Sequence, residues 1–133
     1  MSESSVSAAC VRALIVEDNP GDARLVQEAL KEIGPEGFCL THVDSLAKAE
    51  QALTTDSFEV ILLDLTLPDS RGIETFRRMA RRTERPIVVL TGAEDGMLEN
   101  QLMREGAFDY LPKRHLEGAL LARILRNAAQ TKR

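Results

Sequence analysis

Val60-Ile61-Leu62-Leu63-Asp64-Leu65-Thr66-Leu67-Pro68-Asp69-Ser70-Arg71-Gly72 is the stretch on which the reading of the fold turns. It opens as an unbroken apolar run, the pattern of a strand buried on both faces of a parallel sheet, and it ends in a carboxylate. Pro68, Asp69, Ser70 and Gly72 then mark a loop. In open α/β sheets ligands sit at the carboxyl ends of the strands, so Asp64 stands where a site is expected.

The 133-residue chain is sized for one domain with a single core. With 44% hydrophobic and 29% charged residues, its composition is that of a folded globular protein rather than a disordered one. A net charge of −4 argues against general nucleic-acid or membrane binding. Met1 to Ala9 has neither the basic start nor the apolar core of a secretory signal, and no apolar run approaches the roughly 18 residues of a membrane span. Cys10 and Cys39 lie in no metal-ligand spacing. The expectation is therefore a reducing cytoplasm with two free thiols, Cys39 being a small buried hydrophobe among Phe38, Leu40 and Val43.

Taken in order, residues 1–9 read as a flexible N-terminus and 10–133 as the folded domain. Arg12 to Val16 is the first strand, followed by the acids Glu17 and Asp18 and the turn Asn19-Pro20-Gly21-Asp22. Ala23, Val26, Leu30 and Ile33 form a helical stripe that Gly34, Pro35 and Gly37 stop. Phe38 to Val43 is a second strand, nearer an edge because Thr41 and His42 interrupt it. Asp44 or Ser45 caps a helix from Leu46 to Thr54. Beyond Gly72 a third helix turns Ile73, Phe76, Met79 and Ala80 inward. Pro86 to Leu90 is a fourth strand ending in Thr91-Gly92; Leu98, Leu102 and Met103 support a fourth helix; Phe108 to Leu111 is a short fifth strand before Pro112-Lys113. The last helix, from about Leu116, has a broad apolar face that includes Leu120, Leu121, Ile124, Leu125, Ala128 and Ala129.

Strict alternation of strand and helix calls for a parallel sheet with helices on both faces, because each parallel pair needs a right-handed crossover. Five such units in so short a chain favour the flavodoxin-like order 2-1-3-4-5. Strands one, three, four and five then adjoin, and Glu17, Asp18, Asp64, Thr91 and Lys113 converge at their ends. Three carboxylates in one place repel one another, and a hard divalent ion such as Mg²⁺ relieves that repulsion. Lys113 supplies a compact cation, Thr91 a hydroxyl donor and Gly92 open space, a set suited to phosphoryl transfer onto Asp64.

With those residues in place, the chain resembles the receiver domain of two-component response regulators from Arg12 to about Ala129. The resemblance is carried by LIVEDNP at 14–20, LLDLTLPDSRG at 62–72, VVLTG at 88–92 and GAFDYLPK at 106–113. It implies Asp64 as phosphoacceptor, with Glu17, Asp18, Asp64 and the Thr66 backbone carbonyl holding Mg²⁺. It further implies Thr91 as the hydroxyl switch, Lys113 as its cationic partner and Tyr110 as the aromatic that responds when Thr91 moves. The implied partners are a histidine kinase or histidine phosphotransfer protein and a downstream protein target, reached through the surface of helix four, strand five and helix five. The domain would be a signalling module rather than an enzyme. Where the family usually has a proline after the lysine, Arg114 stands here; a non-proline cis bond costs about 2.5–4 kcal/mol, so a trans bond or a strained cis one is expected.

Two rivals from other classes remain. An aspartyl-phosphate hydrolase needs a second Asp two residues beyond the first, where this chain has Thr66. A phosphorylation-independent interaction module of the same fold typically lacks the acceptor or the acid pair, and both are present. The broad last helix reads either as a wide core face or as a homodimer contact through helix five. Arg77, Arg78, Arg81, Arg82 and Arg85 read as a solvated face, with docking of an acidic partner as the alternative. His42 and His115 have no convergent ligands in the sequence.

Overall fold

The computed structural model describes residues 10–33, 37–92 and 95–131. The elements in chain order are β1 (Val11–Val16), α1 (Pro20–Ile33), β2 (Phe38–Val43), α2 (Leu46–Thr55), β3 (Val60–Asp64), a small hairpin pairing Thr66–Leu67 with Ser70–Arg71, α3 (Ile73–Ala80), β4 (Ile87–Thr91), α4 (Gly96–Arg104), β5 (Asp109–Pro112), a 3₁₀ turn (Lys113–His115) and α5 (Gly118–Gln130). The five long strands lie in the order β2-β1-β3-β4-β5, all parallel, which is the flavodoxin-like arrangement. The expected N-terminal tail 1–9 and the helix stop at Gly34 and Pro35 lie outside the described residues.

Every residue of β3 and β4 is buried, as their continuous apolar runs require of central parallel strands. Successive side chains of a strand point to opposite faces, so the sheet builds two cores. Leu14, Val16, Ile61, Leu63 and Val89 pack with Leu46 of α2, Phe76 and Met79 of α3 and Leu102 of α4. On the opposite face Ala13, Ile15, Leu62, Val88 and Leu90 pack with Val26 and Leu30 of α1 and Leu121 and Leu125 of α5. The polar interruption at Thr41 and His42 does put β2 at an edge, paired to β1 alone.

The breadth of α5 has an internal explanation. Leu121, Leu125 and Ala128 are fully buried, and Leu116 and Leu120 pack against the same core, because the helix lies against both the sheet and α1. Three residues of the basic run are likewise occupied at home. Arg77 forms a two-pronged contact with Glu105 (2.9 and 2.7 Å), while Arg78 and Arg82 each approach Glu50 of α2 at 3.6 Å. These exposed pairs link α3 to its neighbours and each contributes little to stability.

Several sequence expectations are corrected, and two alternatives left open, the Lys113–Arg114 isomer and the cap of α2, are decided. Cys10 and Cys39 are disulfide-bonded, not free, and Cys39 is exposed on the edge strand. Parallel pairing sets Val11 opposite Phe38 and Arg12 opposite Cys39, which brings the two Cα atoms to 5.9 Å, within bridging range. Ala80 and Met103 face outward, and the inward place on α3 goes instead to Thr75, whose hydroxyl bonds Ser70 Oγ at 2.8 Å. No cis peptide occurs among the described residues, so Lys113–Arg114 is trans. Ser45, not Asp44, caps α2, its Oγ accepting from Lys48 N at 3.2 Å; Asp44 pairs with the Lys48 ammonium.

Two positions give direct tests of this packing. A Cβ on Gly118 would sit 2.8 Å from the Ala29 carbonyl oxygen of α1. Gly118→Ala, which improves intrinsic helix propensity, should nonetheless destabilise the protein by about 1–3 kcal/mol in urea unfolding. Asp69, in the hairpin turn, accepts from the Leu46 and Ala47 amides (2.9 and 3.0 Å) at the start of α2. Those amides, Leu46 first, hold its carboxyl below the usual range. Because the folded value is the depressed one, the stabilisation is complete above the unfolded pKa and disappears as pH falls through the folded pKa. Asp69→Ala should cost about 1 kcal/mol at neutral pH, and its unfolding curve should converge on that of the wild type in acid.

Candidate functional site

Strand register alone gathers the site. Val16 lies opposite Leu63, so Glu17 follows beside Asp64; Asp64 lies opposite Leu90, so Thr91 follows; Thr91 lies opposite Pro112, so Lys113 follows. Each chemically active side chain thus caps its strand at the same edge of the sheet.

Asp64 is 3% exposed, and its surroundings are polar. One oxygen accepts from the Thr66 amide at 3.2 Å and the other from Lys113 Nζ at 3.3 Å. Thr66 thus meets Asp64 through its backbone N–H. The loop beyond is closed by Gly72, whose amide donates to the Leu65 carbonyl at 2.8 Å; its φ of 70° lies in the left-handed region, which a residue with a Cβ adopts only under strain.

Glu17 is fully buried. Its Oε2 accepts from the Asn19 amide at 3.1 Å, while Oε1 lies 2.8 Å from Lys113 Nζ in an ion pair that is not directed as a hydrogen bond. Burial pushes the Glu17 carboxyl up to about 7, Lys113 draws it down, and the nearby Asp64 raises it. Desolvation disfavours the Lys113 ammonium, but Glu17, Asp22 and Asp64 outweigh it and hold that pKa above the usual lysine range. Glu17, Asp18 and Asp64 each offer a carboxylate oxygen within 4.8 Å of one another. Three oxygen donors, two of them buried, fit a hard divalent cation such as Mg²⁺, which favours such ligands and retains several waters.

Thr91 is buried at the end of β4, and beside it the space next to Gly92 is open. Tyr110 is also buried, 7% exposed, and its hydroxyl accepts from the amide of Asp95, the N-cap of α4, at 3.3 Å. Glu17, Asp18, Asp64, Thr91 and Lys113 therefore stand at the ends of β1, β3, β4 and β5 along one edge of the sheet, with the Tyr110 hydroxyl tied to the start of α4.

Two residues here were not assigned to the site by sequence reading. Asp22, read only as part of a turn, places Oδ2 2.9 Å from Lys113 Nζ. His42, an edge-strand residue, reaches the Glu17 carbonyl with Nε2 at 2.7 Å, so the carbonyl accepts and that nitrogen carries the proton. Asp22 had a faint signal in its place on the first turn of a helix leaving the acid pair. His42 had none, because its reach depends on β2 lying beside β1.

The family model of the response regulator receiver domain matches residues 13–125. The transcriptional regulatory protein CpxR of Escherichia coli is 35% identical over 116 residues, covering 85% of this chain and 47% of that protein. The cell cycle transcriptional regulator CtrA of Caulobacter vibrioides is 30% identical over 115 residues, covering 86% and 48%. The chain thus spans about half the length of these curated relatives. Among solved structures, a sensor protein from Polaromonas sp. JS666 superposes with a TM-score of 0.76 at 32% identity, covering 90% of this chain and 95% of that one. The BeF3-activated N-terminal receiver domain of RstA from Klebsiella pneumoniae gives 0.75 at 26%, covering 90% and 99%. Sheet order, convergent strand ends and these matches agree: the chain belongs to the response regulator receiver domain family.

Proposed function

We propose that this chain accepts a phosphoryl group on Asp64 from a phosphohistidine, carried by a histidine kinase or a histidine phosphotransfer protein, and passes the signal to a downstream protein target. The observation that carries this reading is the meeting of Glu17, Asp18, Asp64 and Lys113 in one cluster at the end of the sheet. The rival interaction module would have no use for so strained a set of charges. The unit acting this way is residues 10–133. A cytoplasmic location suits the reading, since phosphohistidine donors are charged from ATP, whereas the Cys10–Cys39 bridge runs against the two free thiols expected of a reducing compartment. Among the described residues no helix is long and apolar enough to cross a membrane. A homodimer through α5 would find few leucines free, because the sheet and α1 already cover them.

In the reaction, a carboxylate oxygen of Asp64 attacks phosphorus in line, the P–N bond breaks, and its electron pair returns to the leaving imidazole. Glu17, Asp18, Asp64 and the Thr66 carbonyl would hold Mg²⁺, which when bound supplies charge neutralisation at the phosphoryl oxygens. Lys113 adds a point charge to the same oxygens, and Thr91 donates its hydroxyl to one of them. Movement of Thr91 towards the phosphoryl group alters the packing around Tyr110, whose hydroxyl is tied to the start of α4. That biases the surface of α4, β5 and α5 between two arrangements. Water later hydrolyses the acyl phosphate and resets the domain.

Incubation with acetyl phosphate and Mg²⁺ should add one phosphoryl mass to the wild type and none to Asp64→Ala, read by intact mass spectrometry. An unlabelled wild type, or a labelled Asp64→Ala, would overturn the assignment. Glu17→Gln, which keeps the shape but removes the charge, should weaken Mg²⁺ binding by about tenfold or more in calorimetric titration, with the fold retained by circular dichroism.

A further inference from the structure

Lys113 is held by three carboxylates, and only two of them belong to the proposed ligand set. Its Nζ lies 2.8 Å from Glu17 Oε1, 2.9 Å from Asp22 Oδ2 and 3.3 Å from Asp64 Oδ2. The Glu17 and Asp64 side chains are 0% and 4% exposed, whereas that of Asp22 is 35% exposed and marks the solvent side of the ammonium. Asp22 stands in the first turn of α1, where its own amide donates to Asn19 Oδ1 at 3.0 Å. It lines one small recess with Glu17, Lys113, Leu25 and Leu116. It is not one of the three acids whose oxygens cluster as prospective metal ligands.

An ammonium this close to Glu17 and Asp64 occupies oxygens that a divalent cation needs, and it repels that cation directly. Lysine carries its charge on a flexible four-carbon stem, so it can shift by an ångström or two provided another anion receives it. Resting on the receiver reading given above, we propose that Asp22 is a positioning residue: it draws the Lys113 ammonium to the solvent side and frees Glu17 and Asp64 for a divalent cation. Without Asp22, the anions in contact with the ammonium are the ligands themselves, and lysine and metal compete for them.

The test is a double-mutant cycle on the intact chain, with Mg²⁺ affinity measured by calorimetric titration for wild type, Asp22→Asn, Lys113→Met and the double variant, and melting temperatures taken alongside. Asp22→Asn should weaken Mg²⁺ binding about five- to tenfold when Lys113 is present and by less than about twofold in the Lys113→Met background, a coupling expected only of groups that act through one another. Asp22→Glu, which restores the carboxylate, should recover most of the lost affinity. The proposal is overturned by equal losses in the two backgrounds, which would make Asp22 a general charge, by no loss in either, or by Asp22→Glu binding as weakly as Asp22→Asn. Acetyl phosphate labelling of wild-type Asp64 is read separately. Absent labelling defeats the receiver reading, whereas labelling without coupling defeats this inference alone.

Discussion

Like charge in a small space is the constraint around which this molecule is arranged. Parallel register forces Glu17 and Asp64 to emerge side by side, 0% and 3% exposed, where water can do little to screen them. The only way to keep two such carboxylates buried and close is to supply cationic charge or to protonate one of them. The chain does the first with Lys113, delivered by the neighbouring strand end, and approaches the second at Glu17, whose carboxyl burial has pushed up to about 7. The site is thus electrostatically unfinished, and that incompleteness suits it to a divalent cation.

The sequence disclosed the parts of this arrangement that are written as local pattern. The buried runs at 60–63 and 87–90 announced central strands, the interruption at Thr41 and His42 an edge, and the residues after four of the strands announced the convergence. What it hid depends on contacts between elements distant along the chain. The Cys10–Cys39 bridge follows from β1 and β2 lying side by side, which the spacing of 29 residues does not reveal. Arg77 reads as solvated until Glu105, at the end of α4, is brought against it. The last helix looks oversupplied with leucine until α1 is seen to share its face, close enough that Gly118 admits no Cβ. In each case pattern reported which side chains were available, and only the fold could report which neighbour used them.

The mechanical character of the site differs from one side to the other. On the Asp64 side the carboxylate is fixed: one oxygen takes the Thr66 amide, Gly72 closes the loop on Leu65, and the hairpin turn is anchored to α2 through both oxygens of Asp69. In the proposed phosphoryl transfer such a carboxylate would be held in place before a donor arrives, leaving little ordering entropy to oppose in-line attack. The cationic side is built differently. Lys113 opens a one-turn 3₁₀ segment and stretches its stem to three anions at 2.8–3.3 Å. Three near-equal partners give the ammonium alternative positions at small cost, whereas the aspartate has one. Under the proposed transfer, a rigid Asp64 facing an adjustable cation would let the cation follow the negative charge as it moves from donor to acceptor, while the distance between reacting atoms stays set by the sheet.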